Sequence, residues 1–234
     1  MRCLDLYCGQ GGAAAGYRRA GFEVVGVDIK DQPRYPFEFM QGDAIGFLKW
    51  LLTDGRPFLA GVDLIHASPP CQHYSQAVRN DNKGAHPDLI GPTRELLRET
   101  GVPYVIENVP YAPLIDPVEL CGCMFDMHIE YRGIDFGLYR KRLFESSFPL
   151  LAPEHGKHQR PALPVFGHGG TPGWFYRKFG HGVPAEFQKE LMDTPWMTRA
   201  GTSESIPPIF SEFTGIQARA LIRRLTRSDY TEAA

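Results

Sequence analysis

A chain of 234 residues with 43% hydrophobic content can bury a full core, and its formal charge of −2 means that any affinity for nucleic acid must come from a local basic patch. No apolar run approaches a membrane span, the start Met1-Arg2-Cys3-Leu4-Asp5 lacks an export pattern, and five cysteines with no pairing pattern suit a reducing compartment. The expectation is a cytoplasmic protein of one main domain with no membrane contact, most simply a monomer.

Arg2 to Tyr7 reads as a strand, Cys8-Gly9-Gln10-Gly11-Gly12 as a glycine turn, and Ala13 to Ala20 as a helix. Glycines there let the backbone approach a ligand, and a helix N-terminus offers unpaired N–H groups. Gly21-Phe22 ends the helix, and Val24 to Val27 forms a second strand that delivers Asp28, where a carboxylate can accept from both hydroxyls of a ribose. Phe37 to Met40 suggests a third strand, followed by Asp43 and a helix from Ala44 to Thr53. Asp43 can cap that helix or face a nucleobase amino group, and the residues leave both open.

The apolar run Val62 to Ala67 reads as a buried strand, and Ser68-Pro69-Pro70-Cys71-Gln72 follows it. Two prolines fix φ and remove two backbone donors, so the chain must leave the sheet as a stiff loop that carries Cys71 at a strand's carboxyl end. Ligands of an open parallel sheet gather at that end, which makes Cys71 a candidate nucleophile. A polar loop from Arg79 to Asp88 leads to a helix over Pro92 to Thr100 and to a fifth strand, Tyr104 to Ile106, which delivers Glu107-Asn108 to the same rim. Alternating strands and helices with apolar strands imply an α/β fold, a doubly wound and mostly parallel sheet, with its chemistry at the topological switch point.

Three stretches in this order, Asp5-Leu6-Tyr7-Cys8-Gly9-Gln10-Gly11-Gly12, Ser68-Pro69-Pro70-Cys71-Gln72 and Glu107-Asn108-Val109, resemble the DNA cytosine-5 methyltransferases. Leu138-Tyr139-Arg140-Lys141-Arg142 is similar to that family's Gln-x-Arg-x-Arg element, with Leu138 in place of glutamine. Glu204-Ser205-Ile206-Pro207-Pro208 with Phe210 to Gly215 is similar to its C-terminal motif, and the chain looks like a compact member of the kind phages encode. The resemblance implies a catalytic domain from residues 1–147 and 197–234 in a Rossmann-like methyltransferase fold, and a short target-recognition region over 148–196. It also implies methylation of carbon 5 of cytosine in DNA from S-adenosylmethionine, with base flipping and a setting in restriction-modification. Cys71, Glu107, Arg140 and Arg142 would be catalytic. Asp5, Tyr7, Gly9, Gly11, Gly12, Asp28, Ile29, Asp43, Ala44 and Pro69 would bind the cofactor.

The stretch His155 to Gly182 mixes basic residues with Trp174, Phe175, Tyr176 and Phe179. Such a mixture can follow phosphates and stack on bases, and its aromatics can equally form a mini-core. Gln72, Ser75, Lys157, Arg160, Arg177 and Lys178 are the expected nucleic-acid contacts. Cys121-Gly122-Cys123 with His128 is a single cysteine pair, and His155 and His158 have no cysteine near them in sequence, so no metal is expected. Pro207 to Leu225 reads as a helix with Phe210, Phe213, Ala220 and Leu221 on one face; by resemblance it returns beside the first strand and closes the cofactor pocket. The rival readings are an RNA cytosine methyltransferase, transfer of a modified group, a non-catalytic DNA-binding relative, and a nicotinamide-dependent dehydrogenase, which leaves Pro-Pro-Cys unexplained.

Overall fold

The computed structural model describes residues 1–71, 74, 87–165 and 173–232. Gln72, Ser75, most of the polar loop after them and residues 166–172 of the basic-aromatic stretch lie outside the described residues. Five strands form the parallel body of the sheet: β1 (Arg2–Leu6), β2 (Glu23–Asp28), β3 (Glu38–Gln41), β4 (Leu64–Ala67) and β5 (Tyr104–Asn108). With β6 (Val118–Leu120) and β9 (Arg142–Ser146), they make a seven-stranded sheet in the order β3-β2-β1-β4-β5-β9-β6. β9 alone runs antiparallel to both neighbours. The chain moves outward from β1 to β3 and returns to β4 on the other side of β1, so the switch point lies between β1 and β4.

Period-two alternation sends neighbouring residues to opposite faces, and both faces are covered, as apolar parallel strands require. Cys3, Val24, Leu64 and Val105 pack beneath α1 (Gly12–Arg19) and the C-terminal helix α8 (Pro208–Glu232). Leu4, Val25, Ile65 and Ile106 pack on the other face with Leu48 and Leu51 of α2 (Ala44–Leu52) and Leu97 of α4 (Ile90–Thr100). The short α3 (Arg56–Leu59) lies between those two helices in sequence and turns the chain back toward β4.

The C-terminal helix was expected beside the first strand; it packs on α1, and on a different stripe from the one its sequence suggested. Phe210, Thr214, Ala218 and Ile222, spaced by four, are buried, whereas Ala220 is exposed. Phe213 and Leu221 are half-buried beside the core. Closeness of the two helices explains the choice of small residues: a Cβ on Gly16 would sit 2.0 Å from the carbonyl oxygen of Pro208. Thr214 is tolerated inside because its hydroxyl accepts or donates within reach of Tyr17 Oη, at 3.4 Å. Truncating the fully buried Phe210 to alanine should cost about 3–5 kcal/mol.

A third cluster stands apart from the sheet. It joins Ile129 and Tyr131 of β7 (His128–Tyr131) and Phe136 of β8 (Ile134–Gly137) to Phe175 of α5 (Gly173–Phe179) and to Leu191 and Met192 of α6 (Ala185–Met192). The core of this lobe therefore draws on a hairpin upstream of residue 148. Leu138, in place of a polar residue, is buried in the same cluster. The helix α7 (Arg199–Glu204) leads back from the lobe toward α8.

Candidate active site

Cys71 and Glu107 meet at the carboxyl ends of β4 and β5. β4 stops at Ala67, and the stiff Ser68-Pro69-Pro70 segment carries Cys71 out half-buried. One strand over, Asn108 donates from Nδ2 to the carbonyl oxygen of Pro69 at 2.9 Å, and its Oδ1 accepts from the Val109 amide at 2.9 Å. The end of β5 thus clamps the cysteine loop while presenting Glu107 beside it. Pro69 enters as an acceptor in this clamp.

Glu107 is buried, with Arg142 Nε 3.0 Å from its Oε1. Burial raises the Glu107 carboxyl above the usual carboxylate range, and the Arg142 charge, the Ser68 hydroxyl and Arg140 act in the opposite direction. Burial also pushes the Cys71 thiol up; Arg142 lowers it, Glu107 raises it, and Arg140 lowers it. The two guanidinium groups therefore favour a thiolate against the desolvation that opposes one.

Arg140 and Arg142 leave the β8 to β9 connection two residues apart, on the same side of the extended chain. The guanidinium of Arg140 donates to the carbonyl oxygens of Val165 (2.8 Å) and Ser203 (2.6 Å). Among the described residues its hydrogen bonds thus go to the lobe and to α7. Its Nε is buried with no hydrogen-bond partner among the described residues.

Behind Glu107 runs a polar chain that sequence reasoning missed. Tyr17 Oη lies 2.9 Å from Nδ1 of His66, and His66 Nε2 lies 2.9 Å from the Ser68 hydroxyl. His66 is fully buried, which pushes its pKa down to about 3 and keeps it neutral. The only sequence signal was a histidine inside an otherwise apolar strand.

The glycine turn and the end of β2 form the second half of the rim. Asp28 accepts from the Gly9 amide at 3.0 Å and from the Lys30 amide at 2.9 Å, one bond to each carboxylate oxygen. Each oxygen retains acceptor capacity, which suits a pair of adjacent hydroxyls. Beside it Ile29 is 65% exposed, an apolar side chain just past the strand end. Gly9 has φ +49°, and a Cβ there would meet nothing within 4 Å, so the space before the turn is open.

The remaining glycines are held for packing. A Cβ on Gly11 (φ +86°) would approach Pro36 Cδ to 2.9 Å, and one on Gly12 would overlap the Ser205 hydroxyl at 1.8 Å. Gln10, another residue missed in the sequence, ties the turn to the far end of the lobe. Trp196 Nε1 donates to its carbonyl oxygen and the Thr198 amide to its Oε1, both at 2.8 Å. Asp43 caps α2 by accepting from the Gly46 amide at 2.7 Å, while Ala44 is buried beneath it. Tyr7 adopts φ +58° and lies 2.8 Å from the Thr93 hydroxyl.

Asp5 is fully buried, and neither of its carboxylate oxygens has a hydrogen-bond partner among the described residues. Burial and the nearby Asp28 charge push its pKa well up. An orphaned carboxyl beneath the glycine turn is costly to maintain.

In the lobe, Phe175 is buried and Phe179 half-buried in the aromatic core, whereas Trp174 is partly exposed and stacks on Phe136 at 6.1 Å. Lys157, Arg177 and Lys178 are exposed. Arg160 is not free in the same way: it pairs with Asp126 (2.7 Å) and Asp135 (2.6 Å).

Residues 1–112 match the family model of the C-5 cytosine-specific DNA methylases. The similarity to that family is carried by this segment, just under half of the 234 residues. The matched stretch holds the glycine turn, the cysteine loop and Glu107-Asn108, the elements that form the rim. The type II methyltransferase M.AgeI of Thalassovita gelatinovora is 28% identical over 119 residues, covering 47% of this chain and 28% of that protein. The chain thus aligns with under a third of that relative's length.

Among solved structures, S. pombe Dnmt2 methyltransferase is similar at a TM-score of 0.52 and 12% identity, over 94% of this chain and 99% of that one. Entamoeba histolytica methyltransferase EhMeth gives 0.52 and 12%, over 92% and 96%. At these identities the likeness is one of fold. It extends beyond the matched family segment to the lobe and the C-terminal helix.

Proposed function

We propose that this protein transfers a methyl group from S-adenosylmethionine to carbon 5 of cytosine in DNA, through a covalent bond between Cys71 and carbon 6 of the base. The observation that carries the reading is the convergence of a half-buried thiol, a buried carboxyl with a raised pKa and two arginines on one sheet edge. Residues 1–147 and 197–234 would form the catalytic body, with residues 148–196 providing most of the target-recognition lobe.

The cofactor supplies an electrophilic methyl group on sulfonium. Asp28 would hold its ribose hydroxyls, Ile29 would cover its ring, and the open space before Gly9 would admit it. Asp5, Tyr7, Gly11, Gly12, Asp43, Ala44 and Pro69 would shape that side of the pocket from behind.

Carbon 5 of cytosine is a poor nucleophile. Addition of the Cys71 thiolate to carbon 6 makes the ring an enamine that can attack the methyl group. Negative charge then builds on the ring, and a protonated Glu107 would donate to ring nitrogen 3. Burial already favours the proton there. If Arg142 turns from Glu107 to the carbonyl oxygen of the base, it removes the interaction that most favours the ionised carboxylate. Loss of the proton on carbon 5 and departure of the Cys71 sulfur return the enzyme to its starting state.

A base within a duplex must leave the stack to reach Cys71, at a cost of a few kcal/mol. Exposed Lys157, Arg177 and Lys178 on the lobe, with Gln72 and Ser75 on the cysteine loop, would offset that cost by binding the DNA around the gap. Arg160 would join them only by giving up its two aspartates.

The test is to mix the protein, S-adenosylmethionine and DNA carrying 5-fluorocytosine, denature the mixture, and search for a shifted band and a modified Cys71 peptide. Fluorine blocks loss of the final proton, so the covalent species should accumulate. Cys71→Ser should abolish it. Methylation of ordinary cytosine DNA without any such adduct would refute Cys71 as the nucleophile.

A further inference from the structure

Thirty-odd residues apart in sequence, two pairs of metal-binding side chains meet at the base of the lobe. Cys121 and Cys123 flank Gly122 at the corner where β6 ends and a 3₁₀ turn (Gly122–Phe125) begins. His155 and His158 come from the irregular segment that follows β9. One potential ligand atom from each of the four lies within 4.8 Å of every other. No acidic residue belongs to the set, so it is not a cluster of surface carboxylates.

We propose that Cys121, Cys123, His155 and His158 form a structural site for one zinc ion. With Zn–S of about 2.3 Å and Zn–N of about 2.05 Å, a tetrahedron has S···N edges of about 3.6 Å and N···N edges of about 3.4 Å. The structure gives 3.6 Å between Cys121 Sγ and His158 Nε2, and 3.2 Å between Nε2 of His155 and Nε2 of His158. Two sulfurs and two imidazoles at these spacings select zinc over magnesium or calcium, which prefer oxygen. Four protein ligands leave no open position, which marks the site as structural.

The surroundings hold the ligands in the required orientation. Gly122 is needed between the cysteines because a Cβ there would sit 2.3 Å from the carbonyl oxygen of Leu138; without one, the Cys-Gly-Cys corner can tuck against the segment that follows β8. The His158 ring stacks on Tyr139 with centroids 3.8 Å apart and planes within 8°. Tyr139 in turn donates to the Arg160 carbonyl oxygen (2.7 Å) and accepts from the Arg160 amide (2.8 Å), fixing the segment that carries both histidines. His155 turns Nε2 toward the cluster and Nδ1 toward Glu119 Oε1, 3.6 Å away, the placement of a carboxylate that orients a metal-bound imidazole from behind.

Binding one Zn²⁺ would displace both thiol protons, and the two thiolates would balance its charge. The ion would cross-link the β6 corner to a segment with no regular secondary structure of its own. It would thereby anchor the lobe beside Lys141, between the two arginines of the rim. This site stands independently of the methyl-transfer reading.

The experiment uses the full chain, expressed with zinc, dialysed against metal-free buffer and measured for metal by mass spectrometry. About one zinc per chain is expected, and a strong chelator should lower Tm by several degrees. Cys123→Ser combined with His155→Ala alters two side chains outside the buried core and should remove the zinc. In case that variant fails to fold, Co²⁺ replaces zinc in the wild type. Visible bands of tetrahedral cobalt with a thiolate-to-metal band in the near ultraviolet support the site. Wild type that takes up no zinc or cobalt, with a Tm indifferent to zinc and chelator, would overturn the proposal. So would full zinc content in a folded Cys123→Ser, His155→Ala variant, because the metal would then lie elsewhere.

Discussion

Arg142 Nε lies 3.0 Å from Oε1 of Glu107, so a guanidinium faces the buried carboxyl beside Cys71. Burial raises the Glu107 carboxyl, and Arg142 is the largest influence opposing it. A site that must hold a proton during reaction and exchange it with solvent afterwards is served by such a balance.

Replacing Glu107 with glutamine should therefore slow methyl transfer by about 10²–10⁴-fold while leaving cofactor affinity unchanged. The amide fills the same volume but cannot exchange a proton with the ring. Single-turnover rates of the variant, beside calorimetry with S-adenosylmethionine, decide it. A variant at wild-type rate would remove Glu107 from the chemistry.

Asp28→Ala should weaken S-adenosylmethionine binding by about 10²-fold, since hydrogen bonds to a charged acceptor contribute about 1.5–3 kcal/mol each. The same change frees the Gly9 and Lys30 amides, so the turn also loses its present conformation. Calorimetric affinity equal to wild type would show that the ribose is held elsewhere.

The sheet was legible because its signals are local. Period-two apolar strands, glycine at the β1 to α1 turn and prolines after β4 each act within a few residues, and the strand ends fall close to where the sequence suggested. The stripe on α8 was harder to read. Helix packing there depends on how closely α1 approaches, and that favours Gly215, Thr214 and Ala218 over the larger Phe213 and Leu221. Contacts between distant segments left no sequence trace. Gln10 with Trp196 and Thr198, and Cys121 with His158, are joined only once the chain is folded. The cysteine and histidine pairs were each set aside for lack of a partner, and the fold supplies each as the other's. His128 turns instead to Asp135, at 2.8 Å.

Exposed Arg177 and Lys178 make no ion pair among the described residues, unlike Arg160. Their joint replacement by alanine should weaken DNA binding and lower the slope of log affinity against log salt by about one unit per lost phosphate contact. Fluorescence anisotropy across a salt series measures both quantities. Unchanged affinity and slope would move the DNA surface away from α5.

His66 makes a prediction about stability and pH whose sign follows from burial. In the folded protein its pKa is pushed down to about 3, whereas an exposed histidine titrates near 6.5. Above about pH 6.5 neither state is charged and the group has no pH-dependent effect. Between about pH 6.5 and 3 the unfolded chain binds a proton that the folded chain refuses, so stability falls with falling pH by up to about 1.4 kcal/mol per unit. Glu107 and Asp5, raised by burial, act the opposite way over their own ranges, so wild type alone does not isolate the histidine. The comparison is with His66→Gln, which keeps a polar side chain between Tyr17 and Ser68 but cannot be protonated. Urea unfolding of both proteins at several values from pH 7.5 to 4.5 gives the difference. His66→Gln should be the less stable at pH 7.5, where the Tyr17 and Ser68 contacts decide, and should gain on wild type steadily below pH 6.5. A difference that stays constant across the range would mean that His66 takes up its proton without unfolding, and that the polar chain behind Glu107 is open to solvent.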